Sequence, residues 1–142
     1  MALPSPEPGL IINYAYLWRD EYLAGREEGR KDRPSVIILA VRREADGATV
    51  VTVLPITHAA PHDPKAAVEI PQRVKKHLGL DDRRSWIVVT EGNEFVWPGY
   101  DLRKIAGSDD HAFGFLPPRL FNRVLEAFGA WRAARRTITS PR

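Results

Sequence analysis

The chain has 142 residues, a length typical of a single domain with one hydrophobic core. Hydrophobic residues make up 44% of it and charged residues 27%, a balance that excludes an intrinsically disordered chain and an integral membrane protein. The chain contains no cysteine, which excludes disulfides, thiol nucleophiles and zinc sites built on sulfur.

The first eight residues hold three prolines and lack the basic and apolar regions of a secretory signal. No later segment is apolar over the length that a membrane span requires. We therefore expect a disordered lead over residues 1–8, one domain over residues 9–136, a flexible tail over residues 137–142 and a cytoplasmic location.

The net charge is +3 and the C-terminal part of the chain is rich in arginine, which favours an acidic partner such as RNA or an acidic protein. His58 and His62 are four residues apart, but the prolines around them prevent the helix that would align the two rings on one face. We interpret both as loop histidines and predict neither a metal site nor a cofactor.

The first half of the chain is predicted to be β-structure with one charged loop. Residues 9–18 are rich in β-branched and aromatic side chains, which is typical of a strand. Residues 19–33 contain ten charges and two glycines and predict a solvated loop. Residues 35–41 and 48–57 flank the turn signal Asp46-Gly47, which predicts a β-hairpin.

The second half alternates short strands with two helices. The predicted elements are a strand at 67–70, a helix between Pro71 and Gly79 with Val74 and Leu78 facing inward, strands at 85–90 and 113–116, and a helix from 117 to about 136. Residues 92–100 are dense in aromatic and turn-forming residues, and they are left unassigned.

The last predicted helix carries an apolar stripe that must be buried against the sheet or a second subunit. The stripe consists of Leu120, Phe121, Val124, Leu125, Phe128 and Trp131. Several short antiparallel strands, one tight hairpin and one long terminal helix predict a mainly β fold with helices, in which a small, strongly curved β-barrel is followed by a C-terminal α-helix.

The predicted hairpin brings a cation and a hydroxyl to one end of the sheet. Partners across its turn have position numbers that sum to about 91 to 93, so Arg33 is expected opposite the Thr57-His58 end of the second strand. Pro34 disfavours helix at the preceding residue and so holds Arg33 extended at the rim.

Between Gly9 and about Glu91 the chain carries four pieces in a distinctive order and spacing: Gly9-Leu-Ile opening an aromatic strand, a charged loop ending in Arg33-Pro34 before Ser-Val-Ile-Ile-Leu, Pro55-Ile-Thr57, and Val68-Glu-Ile70. In these pieces the chain resembles the MazF/PemK toxin ribonucleases. The resemblance implies an SH3-like barrel of the CcdB/MazF/PemK type, a homodimer, and the toxin of a type II toxin-antitoxin pair. It also implies metal-independent cleavage of single-stranded mRNA, which inhibits growth, and a cognate antitoxin.

The resemblance assigns roles to individual residues. Arg33 corresponds to the family's catalytic arginine, Thr57 to its site hydroxyl, and the loop carboxylate falls on Glu28 or Glu27. Expected RNA contacts are Arg26, Arg30 and Lys31 in the charged loop, together with two residues that the family does not supply, His58 and, beside the Pro98-Gly99 turn, Trp97. Arg26 stands where a serine is common, and Glu91-Gly-Asn-Glu-Phe95 replaces a glutamine and a basic residue that follow the later strand.

The chemistry explains these residue types. When the RNA 2'-hydroxyl attacks the adjacent phosphate, an enzyme must take up its proton, protonate the departing 5'-oxygen and stabilise the charge on phosphorus-bound oxygens. A guanidinium suits those oxygens, and a neutral hydroxyl can donate to the same phosphate. Arg33 and Thr57 are assigned these two tasks, and the acid-base partner is left open between Glu28, Glu27 and His58.

Simpler interpretations exist for each residue. Arg33 could form a surface ion pair, and Thr57 could be no more than a good strand former. Aromatic side chains such as Trp86, Phe95, Trp97 and Tyr100 more often fill a core than stack on bases. Two other functions also remain open: a non-catalytic, CcdB-like toxin that binds DNA gyrase, and a non-catalytic RNA-binding barrel.

Overall fold

A computed structural model of the chain describes residues 3–25, 31–135 and 138–141. In chain order its strands and helices are β1 (Leu10–Tyr14), α1 (Arg19–Leu23), β2 (Arg33–Arg42), β3 (Thr49–Thr57), β4 (Ala67–Glu69), α2 (Gln72–Leu78), β5 (Trp86–Val88), β6 (Glu91–Val96), β7 (Ala112–Phe115), α3 (Pro118–Arg135) and β8 (Ile138–Pro141). A short 3-10 turn at Pro64–Ala66 precedes β4.

The strands form one mainly antiparallel sheet, and the long helix α3 follows it. Hydrogen-bonded neighbours run in the order β4, β5, β3, β2, β1 and β7, while β6 pairs with β3 and β8 runs parallel to β6. These elements confirm the prediction of a mainly β fold with a C-terminal helix.

The described strands do not close into a barrel, which corrects the finer prediction. The two halves of β3 pair with different partners, the first with β6 and the second with β5, and the end strands β4 and β7 are not joined to each other. The gap between β4 and β7 is bridged by a helix and not by strand-to-strand hydrogen bonds. Helix α2 follows β4 closely, and its Leu78 packs against Gly114 of β7.

The central hairpin forms as predicted. Near its open end β2 and β3 pair as Ser35 with Pro55 and Ile37 with Val53, so partner numbers sum to 90 by addition. An irregularity after Ile37 raises the sum to 91 towards the turn, where Gly47 adopts a positive φ of 71°. A Cβ atom is strained at that φ, which explains why glycine follows Asp46.

The core has two parts, one on each face of the sheet. One face carries Val36, Ile38, Leu54 and Ile56 and is covered by α3, whose Val124 is fully buried. The other face buries a second cluster, made of Leu10, Ile12, Tyr14, Tyr16, Ile37, Val51, Val53 and Phe95. The apolar stripe of α3 packs as predicted except at Leu125, which is 38% exposed.

Two segments differ from their predicted state, and the stretch that was left unassigned has a defined one. Arg19–Leu23 is the helix α1 and not a loop, because Glu21 accepts a hydrogen bond from the Trp18 N–H at 3.1 Å and so stabilises the first turn. The unassigned stretch begins with strand β6, and residues 138–141 of the predicted tail form β8 along it. Residues 3–8 contain neither helix nor strand, and none of the helices described has the length and apolar character needed to cross a membrane.

Candidate functional site

Arg33 and Thr57 lie at the same end of the sheet. Arg33 opens β2 and pairs with Tyr14, and Thr57 ends β3 and pairs with Trp86. The register of β2 and β3, continued two positions past Ser35 and Pro55, sets Arg33 across from Thr57. Residues opposite each other in an antiparallel pair project to the same face, so the predicted cation and hydroxyl share a face at this end.

A cavity of about 630 Å³ opens beside Arg33. The residues that line it are Tyr16, Trp18, Asp20, Glu21, Ala24, Lys31 and Arg33. We call it the aromatic cavity, because Tyr16 and Trp18 meet edge to face there with ring centroids 5.1 Å apart. The volume is within the range of ordinary ligand sites.

The Arg33 guanidinium is half-buried, and no described residue accepts from one of its donors. Its Cζ lies 4.8 Å from the centroid of the Trp18 ring, which is a cation-π contact. Within the described ranges its buried Nε–H has no hydrogen-bond partner. Burial lowers the pKa of Arg33, while Glu21 and Tyr16 act in the opposite direction. Because an arginine guanidinium stays protonated in proteins, the group is charged, and its Nε–H is a donor that no described residue satisfies.

Asn93 fixes the backbone between the two aromatic side chains of the cavity. Its Oδ1 accepts from the Leu17 N–H at 2.9 Å, and its Nδ2 donates to the Leu17 carbonyl at 2.8 Å. Asn93 is fully buried, so these bonds are shielded from water. Tyr16 and Trp18 flank this anchored residue and are held in place by it.

Glu91 provides a second anchor for the same segment. Its Oε1 accepts from the Arg19 N–H at 2.9 Å and from the Tyr16 hydroxyl at 3.2 Å. Burial raises the pKa of Glu91, and the two hydrogen bonds partly oppose that effect. The pKa of Tyr16 is raised by its own burial and by Glu91. The segment that departs from the MazF/PemK pattern therefore supports the wall of the aromatic cavity.

A second cavity, of about 280 Å³, meets the first at Lys31 and Arg33. Its lining residues are Lys31, Asp32, Arg33, Pro34, Ile56, His58, Gly79, Leu80, Asp81, Ser85 and Phe113. We call it the histidine cavity. Arg33 thus borders both spaces, and His58 shares one of them with it.

His58 belongs to a chain of charged contacts at the histidine cavity. Its Nε2 lies 2.7 Å from Asp81 Oδ2, and Asp81 Oδ1 accepts from Lys75 Nζ at 2.8 Å. Burial acts to raise the pKa of Asp81, but hydrogen bonds and charge from Lys75 and His58 outweigh it and hold the pKa below its usual value. Asp81 is therefore ionised at neutral pH.

The other predicted site residues are placed less directly. The Thr57 hydroxyl accepts a hydrogen bond from the Ala59 N–H at 3.2 Å, and Thr57 is not among the described residues that line either cavity. Trp97 hydrogen-bonds to Thr49 at the far end of β3 and packs towards Phe95. Thr49 and Thr57 are eight positions apart along β3, about 26 Å, so Trp97 is not brought to Arg33. Arg26, Glu27, Glu28 and Arg30 lie outside the described residues.

Several residues of this region were not predicted as part of the site. Trp18 had a usable signal, because Tyr14, Tyr16 and Trp18 alternate with the period of two that marks one side of an extended chain. Lys75 had none, since it stands in the run Lys75-Lys76-His77 that reads as a solvated helix face. Asp81 is 23 residues from His58, and only the tertiary fold joins them.

In the part of the chain that is described, no three His, Asp or Glu side chains group closely enough to hold a metal ion. No protein-family model, no curated protein and no solved structure matches the chain.

Proposed function

We propose that the chain is a metal-independent endoribonuclease that cuts single-stranded mRNA, and that it is the toxin of a type II toxin-antitoxin pair. The proposal rests on Arg33, whose charged, half-buried guanidinium lies where the two cavities meet. No described residue accepts a hydrogen bond from its Nε–H. A buried donor without a partner is costly, and a phosphate oxygen of a bound substrate relieves that cost.

The reaction is attack of the 2'-hydroxyl on the adjacent phosphate, giving a cyclic phosphate and a 5'-hydroxyl. Arg33 donates to the non-bridging oxygens as negative charge grows there, and one such donor contributes about 2.7 to 4 kcal/mol of transition-state stabilisation. The Thr57 hydroxyl accepts from Ala59, which leaves its own hydrogen to donate to the same phosphate.

The cavities suit the nucleotides on either side of that phosphate. The aromatic cavity offers the partly exposed Trp18 ring to an unstacked base, with the buried Tyr16 ring supporting it edge to face. Lys31 borders both cavities as a further cation for the backbone. Bases become available for such stacking only in single-stranded RNA, which accounts for the choice of substrate.

The proposal extends to fold type and assembly. The open, mainly antiparallel sheet with α2 across its gap corresponds in this proposal to the SH3-like barrel of the CcdB/MazF/PemK type. Three exposed apolar side chains lie on β2 and β6, which both pair with the first half of β3: Leu39, Val41 and Val96. Such a surface supports a homodimer, which light scattering of the purified chain tests.

The test is cleavage of a long single-stranded RNA by the purified chain in excess EDTA, followed by analysis of the product ends. Fragments that carry cyclic phosphate and 5'-hydroxyl ends are expected, and RNA that stays intact would refute the proposal. Inhibition of gyrase supercoiling without RNA cleavage would point to the CcdB-like alternative. RNA binding without cleavage would point to a binding barrel.

A further inference from the structure

Lys75 is a charged side chain in the interior of the protein. It is 1% exposed, although it belongs to the short helix α2 and lies in a basic run. Its ammonium group donates to Asp81 Oδ1 at 2.8 Å and to the Arg83 carbonyl. A buried ammonium is tolerated only when it is paired and hydrogen-bonded, so this pairing fixes where Asp81 must stand.

Asp81 is held with its two oxygens in different roles. Oδ1 accepts from Lys75 Nζ and from the Arg83 N–H at 3.1 Å, whereas Oδ2 lies 2.7 Å from His58 Nε2. An ionised carboxylate only accepts hydrogen bonds, so Nε2 must carry the proton of this contact. In the neutral imidazole the other nitrogen, Nδ1, then has its lone pair available.

The geometry points to His58 as the general base of the proposed ribonuclease, with Asp81 and Lys75 as positioning residues that set its tautomer. This inference rests on the proposed function, because it needs an RNA phosphate beside Arg33. His58 and Arg33 line the same cavity, so a phosphate bound by the guanidinium brings its neighbouring 2'-hydroxyl near the imidazole.

The step balances without any further reagent. His58 Nδ1 takes the proton of the 2'-hydroxyl, the 2'-oxygen forms a bond to phosphorus, and the bond from phosphorus to the 5'-oxygen breaks. The 5'-oxygen takes a proton from water, and the imidazolium later returns its proton to solvent. Asp81 stabilises the imidazolium while it exists, as an orienting carboxylate does beside a histidine base.

Replacing Asp81 by asparagine makes a specific prediction. In the wild type, Asp81 Oδ1 accepts from two donors, Lys75 Nζ and the Arg83 N–H. In the variant the asparagine amide oxygen therefore occupies the Oδ1 position, and the amide NH2 is directed to His58. The NH2 then donates to Nε2, and the imidazole proton moves to Nδ1. In Asp81→Asn, His58 therefore carries its proton on Nδ1, the nitrogen that should accept the proton of the 2'-hydroxyl.

The first measurement is the ¹⁵N NMR spectrum of the imidazole nitrogens in the intact chain, with the His58 signals identified by their loss in His58→Gln. In the spectrum of the uncharged imidazole we expect the His58 proton on Nε2 in the wild type and on Nδ1 in Asp81→Asn. A wild-type His58 protonated on Nδ1 would overturn the inference. If Asp81 served only to pair with Lys75, Asp81→Asn would not reverse the tautomer of His58.

The second measurement is RNA cleavage at saturating and at low substrate. For His58→Ala and Asp81→Asn we expect kcat to fall by about 10²- to 10⁴-fold with KM nearly unchanged, as for loss of a general base. Added imidazole should restore part of the activity of His58→Ala. His62→Ala is the matched control, since His62 is an exposed histidine in the same connection.

The two proposals fail in distinguishable ways. If the wild type cuts RNA, Arg33→Ala does not, and His58→Ala cuts at the wild-type rate, His58 is not the base and the inference is wrong while the proposed function stands. If the wild type cuts no RNA, the proposed function fails and the inference fails with it. His58→Ala leaves Asp81 and Lys75 paired, so its result does not depend on whether Asp81→Asn folds.

Discussion

The Arg33 guanidinium lies over the Trp18 ring, with Cζ 4.8 Å from the ring centroid. A cation held by an aromatic face is positioned without being neutralised, unlike one held by a carboxylate. This contact explains how a half-buried arginine keeps a donor for a substrate anion. It also makes Trp18 a positioning residue of the proposed site.

Trp18→Ala is expected to weaken RNA cleavage through Arg33. A cation-π contact contributes about 0.5 to 2 kcal/mol, so kcat/KM should fall roughly 2- to 30-fold. Trp18→Phe keeps a ring at this position and should retain most of the activity. Steady-state kinetics on one RNA measures the effect, and Tyr100→Ala, which removes a highly exposed ring elsewhere, is the control. Equal kcat/KM in Trp18→Ala and the wild type would show that the ring does not hold Arg33 for the reaction.

Asn93→Ala is expected to destabilise the fold, because it leaves both the N–H and the carbonyl of Leu17 without their partner. Each unsatisfied buried group costs about 1 to 3 kcal/mol. Urea unfolding measures the loss, and the Leu17 amide should exchange with deuterium faster. The exposed Asn122 on α3 is the matched control, and Asn122→Ala should stay within about 0.5 kcal/mol of the wild type. A stable Asn93→Ala would mean that Asn93 does not anchor this segment.

Glu91 should give the protein a pH dependence of stability with a definite sign. Its pKa is higher in the folded chain than in the unfolded chain, chiefly through burial, so the folded state binds more protons between the two values. Stability should therefore fall as pH rises from the ordinary glutamate pKa through the raised one.

Glu91→Gln removes this titration but keeps an oxygen that can accept from Arg19 and Tyr16. We expect the free energy of unfolding of Glu91→Gln, relative to the wild type, to increase with pH across that window. Chemical unfolding at a series of pH values measures it, with Glu94→Gln, an exposed position on the same strand, as the control for loss of a charge. A relative stability that decreases with pH would contradict the raised pKa.

Gly92 and Gly129 should respond oppositely to alanine. A Cβ at Gly92 would lie 2.9 Å from the Val53 carbonyl oxygen, a backbone atom, so Gly92→Ala should cost about 1 to 3 kcal/mol. Gly129 lies in α3 with no atom within 4 Å of such a Cβ, so Gly129→Ala should stabilise by about 0.5 to 1 kcal/mol. Thermal unfolding of the two variants checks both signs, and a neutral Gly92→Ala would show that β3 and β6 can separate at this point.

Local patterns predicted those elements whose signals are local. Asp46-Gly47 between alternating apolar runs gave the hairpin, and Pro71 with Gly79 bracketed α2, whose last carbonyls are capped by Gly79 at a φ of 71°. Strand β8 was missed because four residues of a terminal segment become a strand only by pairing with β6. The predicted strongly curved β-barrel is not closed among the described strands, because pairing between the ends of a sheet is set by the whole fold.

The candidate site divides in the same way. Hairpin arithmetic brought Arg33 and Thr57 to one end of the sheet, since register is a property of neighbouring strands. Trp18, Asp81 and Lys75 reach this region through contacts between distant segments, and the burial of Lys75 contradicts the polar character of its neighbours in sequence. The roles of Glu27 and Glu28 stay predictions.

The most direct measurement is the rate at which Arg33→Ala cleaves a single-stranded RNA in EDTA, beside the wild type and Arg43→Ala. Arg43 is exposed, pairs with Asp46 and lies at the opposite end of the hairpin. The control Arg43→Ala therefore removes the same charge at a distance from the site. If Arg33 stabilises the transition state, kcat should fall about 10²- to 10³-fold in Arg33→Ala and stay near the wild-type value in Arg43→Ala. Equal cleavage by Arg33→Ala and the wild type would contradict the central role of Arg33.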